Sequence, residues 1–452
     1  MQPFQRSLEA LQDWVGSPYR RQAEQLLASR DKKFALLLNS RRLPLKGWSP
    51  EDVETFMQLV SAMDSQGQTV AAGEREGRVW ACTVRKSWSH GVGRSGDLLA
   101  LQPKAVGSSL LNKLASRLSL DLLQRGCGLS SIKASVVLPV ATGMGLFFTF
   151  ASLKLTRPHC SEVLISRMDQ KSCPKAATLA GLTPVFAPLQ IAGECMKTDL
   201  NAIKERVSDN TLCVVATTST FAPRCPDDVV GLAQLCAKLN LPLVINNAFG
   251  LQCNVVCKQI QRALVAGRVD FVVQSTDKNL MVPVGGSIVA SPDPSLVDSV
   301  ASLYPGRAAS NVHVDVVCTL LEMGLNTFIE LRQERHKLSL SIRGALEEKL
   351  PGFKLLDTEG LNTISHALAL PPNMDHNLLG SMLALRGVTG ARVCSQDAAQ
   401  PLFGLSKYGA HSDEFPHSYL SFAIAVGSTT ANVDAFVFKL VDVFQTWLGR
   451  TE

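Results

Sequence analysis

Nothing in this chain spaces histidine and cysteine as a metal site would. Its twelve cysteines and eight histidines are scattered over 452 residues. No HxxxH or His-Cys cluster occurs, and the closest cysteine pair, Cys253 and Cys257 in CNVVC, lacks the CxxC spacing of metal or redox motifs. No structural or catalytic metal is expected, and most cysteines read as reduced, buried small hydrophobes of a cytosolic protein. Long apolar runs are equally scarce. No stretch reaches the roughly 18 residues that span a bilayer, and neither end carries a basic, then apolar, then small-residue leader. A soluble, cytoplasmic protein without a membrane partner is the expectation. Internal repeats and low-complexity tracts are absent too.

What is present is a chain too long for one core, with 46% hydrophobic residues to fill a large interior. The net charge is only +6, but it is unevenly placed. Residues 1–50 hold nine Lys or Arg against Glu9, Asp13, Glu24 and Asp31, which leaves +5. Such an amphipathic basic leader is either a solvated helix face, the favoured reading, or a footprint for a polyanion.

Apolar residues recur at helical spacing in PEDVETFMQLVSAMD and GSSLLNKLASRLSLDLLQRG, with caps expected at Ser49 and at Gly107-Ser108-Ser109. From Ala134 short β-rich runs alternate with helices: SVVLPV, EVLIS, TLCVVAT, LPLVIN and DFVVQ, then GSIVAS. That alternation predicts an α/β fold with a parallel sheet covered on both faces, its ligand beyond the carboxyl ends of the strands. A long helical run from about 312 to 349 and a smaller α+β portion follow, with 396–418 reading as a mobile loop.

The strand ends carry unusual residues. Lys278 follows FVVQ closely, ahead of Gly285-Gly286, which is where an enzyme holding pyridoxal phosphate as a Schiff base needs a lysine; a solvated loop lysine is the bland alternative. Thr142-Gly143 opens a helix after the first strand, a turn suited to a phosphate or simply a strand-to-helix turn. Asn246-Asn247 ends the fourth strand, where asparagines also bond local turns. Gly91 to Gly96 matches GxGxxG without the strand-turn-helix context of a dinucleotide fold. The same stretch, GRSGDLLALQPKAVGSS, places Arg94, Ser95, Gln102 and Lys104 together; GEREGRV adds Arg75 and Arg78, and LYPGRAAS adds Arg307. Guanidinium forks with a hydroxyl and an amide clamp a dianionic phosphate, although a basic surface loop would read the same way.

Taken in order, VATGM, DQKSC, FAPR, NNAFGLQ, QSTDKN with MVPVGG, and YPGRA resemble the O-phosphoseryl-tRNA(Sec) selenium transferases (Sep-tRNA:Sec-tRNA synthases), strengthened by GEREGRV and GRSGD. The resemblance runs over nearly the full length. It implies a fold type I pyridoxal-phosphate transferase: a basic helical segment at 1–50 for assembly or tRNA, a catalytic domain at 51–310, and a small C-terminal domain at 311–452. The implied reaction makes selenocysteinyl-tRNA from O-phosphoseryl-tRNA(Sec), with selenophosphate as donor, in homotetramers whose active sites lie between subunits. Carried over, Lys278 resembles the Schiff-base lysine, acting in a dry pocket. Thr142 and Gly143 resemble the cofactor-phosphate turn, Gln170 the neighbour of the ring, and Arg75 a residue reaching the cofactor phosphate. Asn246 stands where most fold type I enzymes pair an aspartate with the pyridine nitrogen. Arg94, Ser95, Gln102 and Arg307 resemble the clamp on the phosphoseryl phosphate, and Arg392 a tRNA contact. Val265 and Thr429 stand where related sequences can place arginine and lysine. The alternatives are a pyridoxal-phosphate lyase or sulfur transferase, for which Cys173 beside Lys171 would be the carrier to watch, and a noncatalytic tRNA-binding homologue.

Overall fold

The computed structural model describes residues 14, 16–64, 76, 87–372, 374, 376–396 and 400–451. Nine strands come first: β1 (Ala134–Leu138), β2 (Glu162–Ser166), β3 (Thr183–Ala187), β4 (Leu189–Ala192), β5 (Cys195–Thr198), β6 (Thr211–Thr217), β7 (Leu243–Asn246), β8 (Phe271–Ser275) and β9 (Ser287–Ser291). Seven of them form one sheet in the order β1-β9-β8-β7-β6-β2-β3, and β4 and β5 make a separate hairpin. Pairs from β3 through β8 are parallel, while β9 runs antiparallel to both its neighbours. The GSIVAS run is thus the one reversed strand. β3 does not stand out in the sequence: TPVFA carries Pro184, which only an edge strand tolerates.

Side chains along these strands alternate between two cores. Val137, Leu164, Val214, Ile245 and Val272 face one, with helices Pro50–Ser61, Val106–Asp121, Val229–Leu239 and Asn254–Ala266. Val136, Val163, Val215, Val244 and Phe271 face the other, under helices Thr142–Thr156, Ser172–Leu179 and Pro294–Ser302. Two-sided burial explains why the runs read as continuous apolar segments. Ser49 caps its helix as expected, its Oγ accepting from Asp52 N. The second cap comes from elsewhere. That helix starts at Val106, and the carboxylate of Asp64 accepts from Ser108 N at 3.0 Å.

Helix Asn311–Lys349 links the main body to a third core. It contains a window apolar and long enough, by composition, to cross a membrane, contrary to the sequence reading, yet Val316, Val317, Leu320 and Leu321 are buried in the main core. At Gly324 (φ 65°) the helix breaks, and residues 44–48 fill the break: Leu325 N donates to Pro44 O, Asn326 N to Leu45 O, and Trp48 N to Leu321 O. Gly47 is obligatory there, because a Cβ would lie 1.8 Å from Glu322 O. Phe34, Leu37 and Leu43 of the basic leader are buried in the same core. Arg30 and Lys33 pair with Asp52, and Arg20 with Glu24.

The C-terminal part adds β10 (Ser365–Ala369), β11 (Arg392–Cys394), β12 (Gln400–Leu402), β13 (Leu405–Tyr408) and β14 (Tyr419–Ala423). β10-β14-β11 is an antiparallel sheet packed on helices His376–Leu385 and Thr430–Thr451. β12 and β13 form a hairpin inside the segment 396–418 that the sequence suggests is a mobile loop.

Candidate active site at the strand ends

β8 runs straight into the short helix Thr276–Leu280, so Lys278 stands in the first turn beyond the strand. The turn is pinned from within: Asn279 Nδ2 donates to Ala248 O at 2.9 Å and to Ser275 O at 2.7 Å, and Thr276 N donates to Gly286 O. Gly286 has no room for a side chain, since a Cβ would lie 2.4 Å from Thr276 Oγ1. The Lys278 side chain is exposed, so a single chain does not supply the dry pocket expected around it.

Thr142 begins its helix beyond β1, with no side-chain cap from Ala141, so the first N–H groups stay open. Gly143 brings this helix start against the start of helix Ser172–Leu179, where a Cβ would sit 3.4 Å from the Ser172 Cβ. Asn246 ends β7, in register with Thr217 of β6 and Val273 of β8. Its Nδ2 donates to Cys173 Sγ at 3.2 Å. Buried oxygens without a hydrogen-bond partner gather here, among them Thr142 Oγ1, Thr217 Oγ1, Asn246 Oδ1, Thr276 Oγ1 and Asn279 Oδ1. An unsatisfied buried polar atom costs about 1–3 kcal/mol, so a group of them at one sheet edge marks a place for a polar ligand.

Gln170 follows β2, its N–H donating to Met168 O at 2.8 Å. Beside it lies a network invisible in the sequence. Asp169 Oδ2 accepts from Gly409 N and His411 N, both at 2.8 Å, and Asp169 N donates to His411 Nδ1 at 3.0 Å. Arg167 joins Asp169, Asp413 and Lys407 O. Burial works against ionisation of Asp169, but the surrounding charge and donors prevail and hold its carboxyl below the usual range. Burial pushes the His411 imidazole down to about 3. These bonds fasten the β12-β13 hairpin beside Gln170. The hairpin's Tyr408 Oη is buried without a partner, and burial raises its pKa above the usual phenol range. Burial likewise pushes the Cys173 thiol up to about 12, which removes it as a reactive carrier.

Arg94 and Ser95 are exposed on a tight turn closed by Arg94 N to Asp97 O and Asp97 N to Arg94 O. This loop is stitched to the Arg307 segment by reciprocal Val92 and Ala308 backbone bonds, both 2.9 Å, and by Leu98 N to Ala301 O. Arg307 is exposed in a cleft with His90, Ser310 and Asn311; its Nη1 donates to His90 O, and its Nη2 to Glu76. Gln102 is half-buried at the approach to helix Val106–Asp121, its N–H donating to Ser109 Oγ at 3.0 Å. The cleft adjoins the lysine turn through Val312, which a Cβ on Gly286 would touch at 2.6 Å. Arg75 and Arg78 lie outside the described residues.

A family model for O-phosphoseryl-tRNA(Sec) selenium transferase matches residues 62–445. The chain belongs to the O-phosphoseryl-tRNA(Sec) selenium transferase family. It is 38% identical to a Dictyostelium discoideum protein of that name, over 97% of this chain and 99% of the relative. It is 36% identical to one from Caenorhabditis elegans, over 92% and 90% of the two chains. An archaeal O-phosphoseryl-tRNA(Sec) selenium transferase crystal structure superposes with a TM-score of 0.86 at 26% identity, covering 94% of this chain and 97% of that one. A sphingosine-1-phosphate lyase from Burkholderia pseudomallei superposes at 0.59 with 13% identity over 95% and 91%, a likeness of fold alone. The fold type I expectation therefore holds. In this selenium transferase family member the residues singled out fall in two adjoining places: Lys278, Thr142, Gly143, Gln170 and Asn246 at the strand ends, and Arg307 in the cleft with Arg94 and Ser95 on the loop stitched to its segment. Arg392 is exposed on β11, its Nη2 reaching Gly409 O at 3.5 Å. Val265 is exposed, and Thr429 Oγ1 caps the last helix by accepting from Asn432 N at 3.3 Å.

Proposed function

We propose that this chain converts O-phosphoseryl-tRNA(Sec) to selenocysteinyl-tRNA(Sec) with pyridoxal 5'-phosphate as cofactor and selenophosphate as selenium donor. The observation that carries it is the group of unpartnered buried oxygens around a strand-end lysine, next to the cleft that holds Arg307. The donor set fits the cofactor. Open N–H groups at Thr142 and Gly143, with the Thr142 hydroxyl, would hold its phosphate; Asn246 would stand at the ring nitrogen and Gln170 would neighbour the ring, while Arg75, outside the described residues, keeps the part at the phosphate that the resemblance implies. When bound, pyridoxal phosphate supplies an electron sink that acidifies the α-carbon.

The chain's own groups do the rest. Lys278 Nζ takes the α-proton of the phosphoseryl moiety, while Arg94, Ser95, Gln102 and Arg307 hold the phosphoryl group as it leaves the β-carbon. The selenium of selenophosphate then adds at that carbon as Lys278 Nζ returns a proton to the α-carbon, and water takes up the phosphoryl group released when the P–Se bond breaks. An amide at position 246 cannot stabilise a protonated ring nitrogen as a carboxylate would; that weaker sink suits elimination of a good leaving group and disfavours transamination. A sulfur-transfer alternative loses its carrier, because Cys173 is buried and occupied by Asn246.

Exposure of Lys278, with Met281 and Val284 beside it at 49% and 83%, supports closure of the site by a second subunit within a homotetramer. Arg392 is read as a tRNA contact. Unbridged cysteines throughout the described residues support a cytoplasmic setting. The division at 1–50, 51–310 and 311–452 is kept as a functional one, although helix Asn311–Lys349 contributes to two cores. The deciding experiment supplies the purified holoenzyme with phosphoseryl-tRNA(Sec) and selenophosphate and identifies the released aminoacyl group by mass. Selenocysteine is expected; unchanged phosphoserine would overturn the proposal.

A further inference from the structure

Glu76 lines the cleft that holds Arg307. Arg307 Nη2 donates to Glu76 Oε1, and Lys104 Nζ lies 3.6 Å from Glu76 Oε2. One carboxylate therefore presents an oxygen to each of two cations, as a phosphoryl group would, but with half the charge. The side chains are only partly exposed, Arg307 at 35%, Lys104 at 32% and Glu76 at 27%, so water competes for all three. Ion pairs so exposed are weakly held. A dianion with several acceptor oxygens gains more from the same two cations than a carboxylate does, and a neutral hydroxyl gains far less.

We propose that Glu76 is an internal occupant of the phosphoryl clamp, displaced by the substrate's phosphoryl group, and that it sets selectivity for dianions over monoanions. The inference rests on the reading of Arg307 as part of that clamp. Selectivity follows from competition: any ligand must first displace a tethered negative charge, which favours a dianion and leaves a monoanion with no net gain. Removing that charge while keeping the side chain's shape relaxes the filter. Lys104 thereby enters the clamp as a partner of Arg307.

Glu76→Gln separates this from a scaffolding role, in which the carboxylate merely holds Arg307 and Lys104 in place. The probes are inorganic phosphate and formate, titrated calorimetrically into the cofactor-loaded enzyme at pH 8, so that the cofactor's own phosphate position is filled. The expected result is phosphate binding about three- to tenfold tighter in Glu76→Gln, with formate binding gained where the parent enzyme shows none. Unchanged or weaker phosphate binding in the variant overturns the proposal. Arg307→Ala distinguishes the two levels of inference. If it leaves phosphate binding intact, the clamp reading fails and the proposal with it; if it abolishes binding while Glu76→Gln gains nothing, only the role of Glu76 fails.

Discussion

At the scale of single residues, the proposed reaction is divided between Lys278 and Arg307. Lys278→Ala is expected to abolish turnover and to leave no cofactor covalently attached after borohydride reduction, as read by intact mass, with circular dichroism unchanged. Full activity in that variant would end the assignment. Arg307 offers a graded test. A charge-assisted hydrogen bond is worth roughly 1.5–3 kcal/mol, so Arg307→Ala should lower kcat/KM on phosphoseryl-tRNA by about ten- to a hundredfold. The loss should be specific to the phosphorylated substrate. An equal loss on a seryl analogue would show that the arginine acts on something other than the phosphoryl group.

Among the elements, the strand ends depend on a buried arginine beneath them. Arg224, from the FAPR string, is 0% exposed, and its guanidinium donates to Arg167 O, Cys225 O, Ser166 Oγ and Asp227 Oδ1. Asp227 in turn accepts from Thr217 N at the end of β6. Arg224→Met would strand Asp227 without its charge partner and should cost about 3–5 kcal/mol, read by denaturant unfolding. A loss below about 1 kcal/mol would mean that solvent reaches this pair. The legibility of the sequence has the same physical divide. β1, β2, β6, β7 and β8 are readable because strands buried on both faces spell continuous apolar runs, and Lys278, Thr142 and Asn246 because they stand where those runs stop. The Asp64 cap and the Asp169–His411 bonds are not, because their partners are 44 and 242 residues apart and follow from the fold alone. The hairpin Gln400–Tyr408 reads as a mobile loop for the same reason: its anchor lies on another element.

For the whole molecule, three buried histidines make stability fall toward acid pH. Burial depresses His411 to about 3 and His313 and His366 to about 4. All three folded pKa values lie below the unfolded value of roughly 6.5, so the unfolded state binds more protons between those limits. Stability is therefore complete above about pH 6.5 and falls as the pH drops toward 4, each histidine adding a slope of up to roughly 1.4 kcal/mol per pH unit. Unfolding free energies at pH 7.5 and 5.5 should show this fall, and His313→Gln should reduce the slope; a flat profile would refute it. The basic leader needs a different test. Its Phe34, Leu37 and Leu43 are core residues, so deleting it would confound folding with binding. Replacing the exposed Arg21, Lys32, Arg41 and Arg42 by glutamine is cleaner. If these cations sit on RNA phosphates, the salt dependence of tRNA affinity should flatten by about 0.7–0.9 for every phosphate no longer neutralised, whereas an unchanged slope would make them a solvated face.

The segment 44–48 that fills the break at Gly324 has a history as well as a place. During synthesis it emerges long before the helix it completes. At the ribosome's pace of about 5–20 residues per second, it waits on the order of half a minute for Leu321, Leu325 and Asn326 to appear. Trp48 and its neighbours must stay soluble through that interval, and the finished helix can close only around a piece of chain made at the start. Assembly of this part of the main core is thus paced by translation of the helix, and a stall between positions 50 and 320 would leave residues 44–48 without the break they fill.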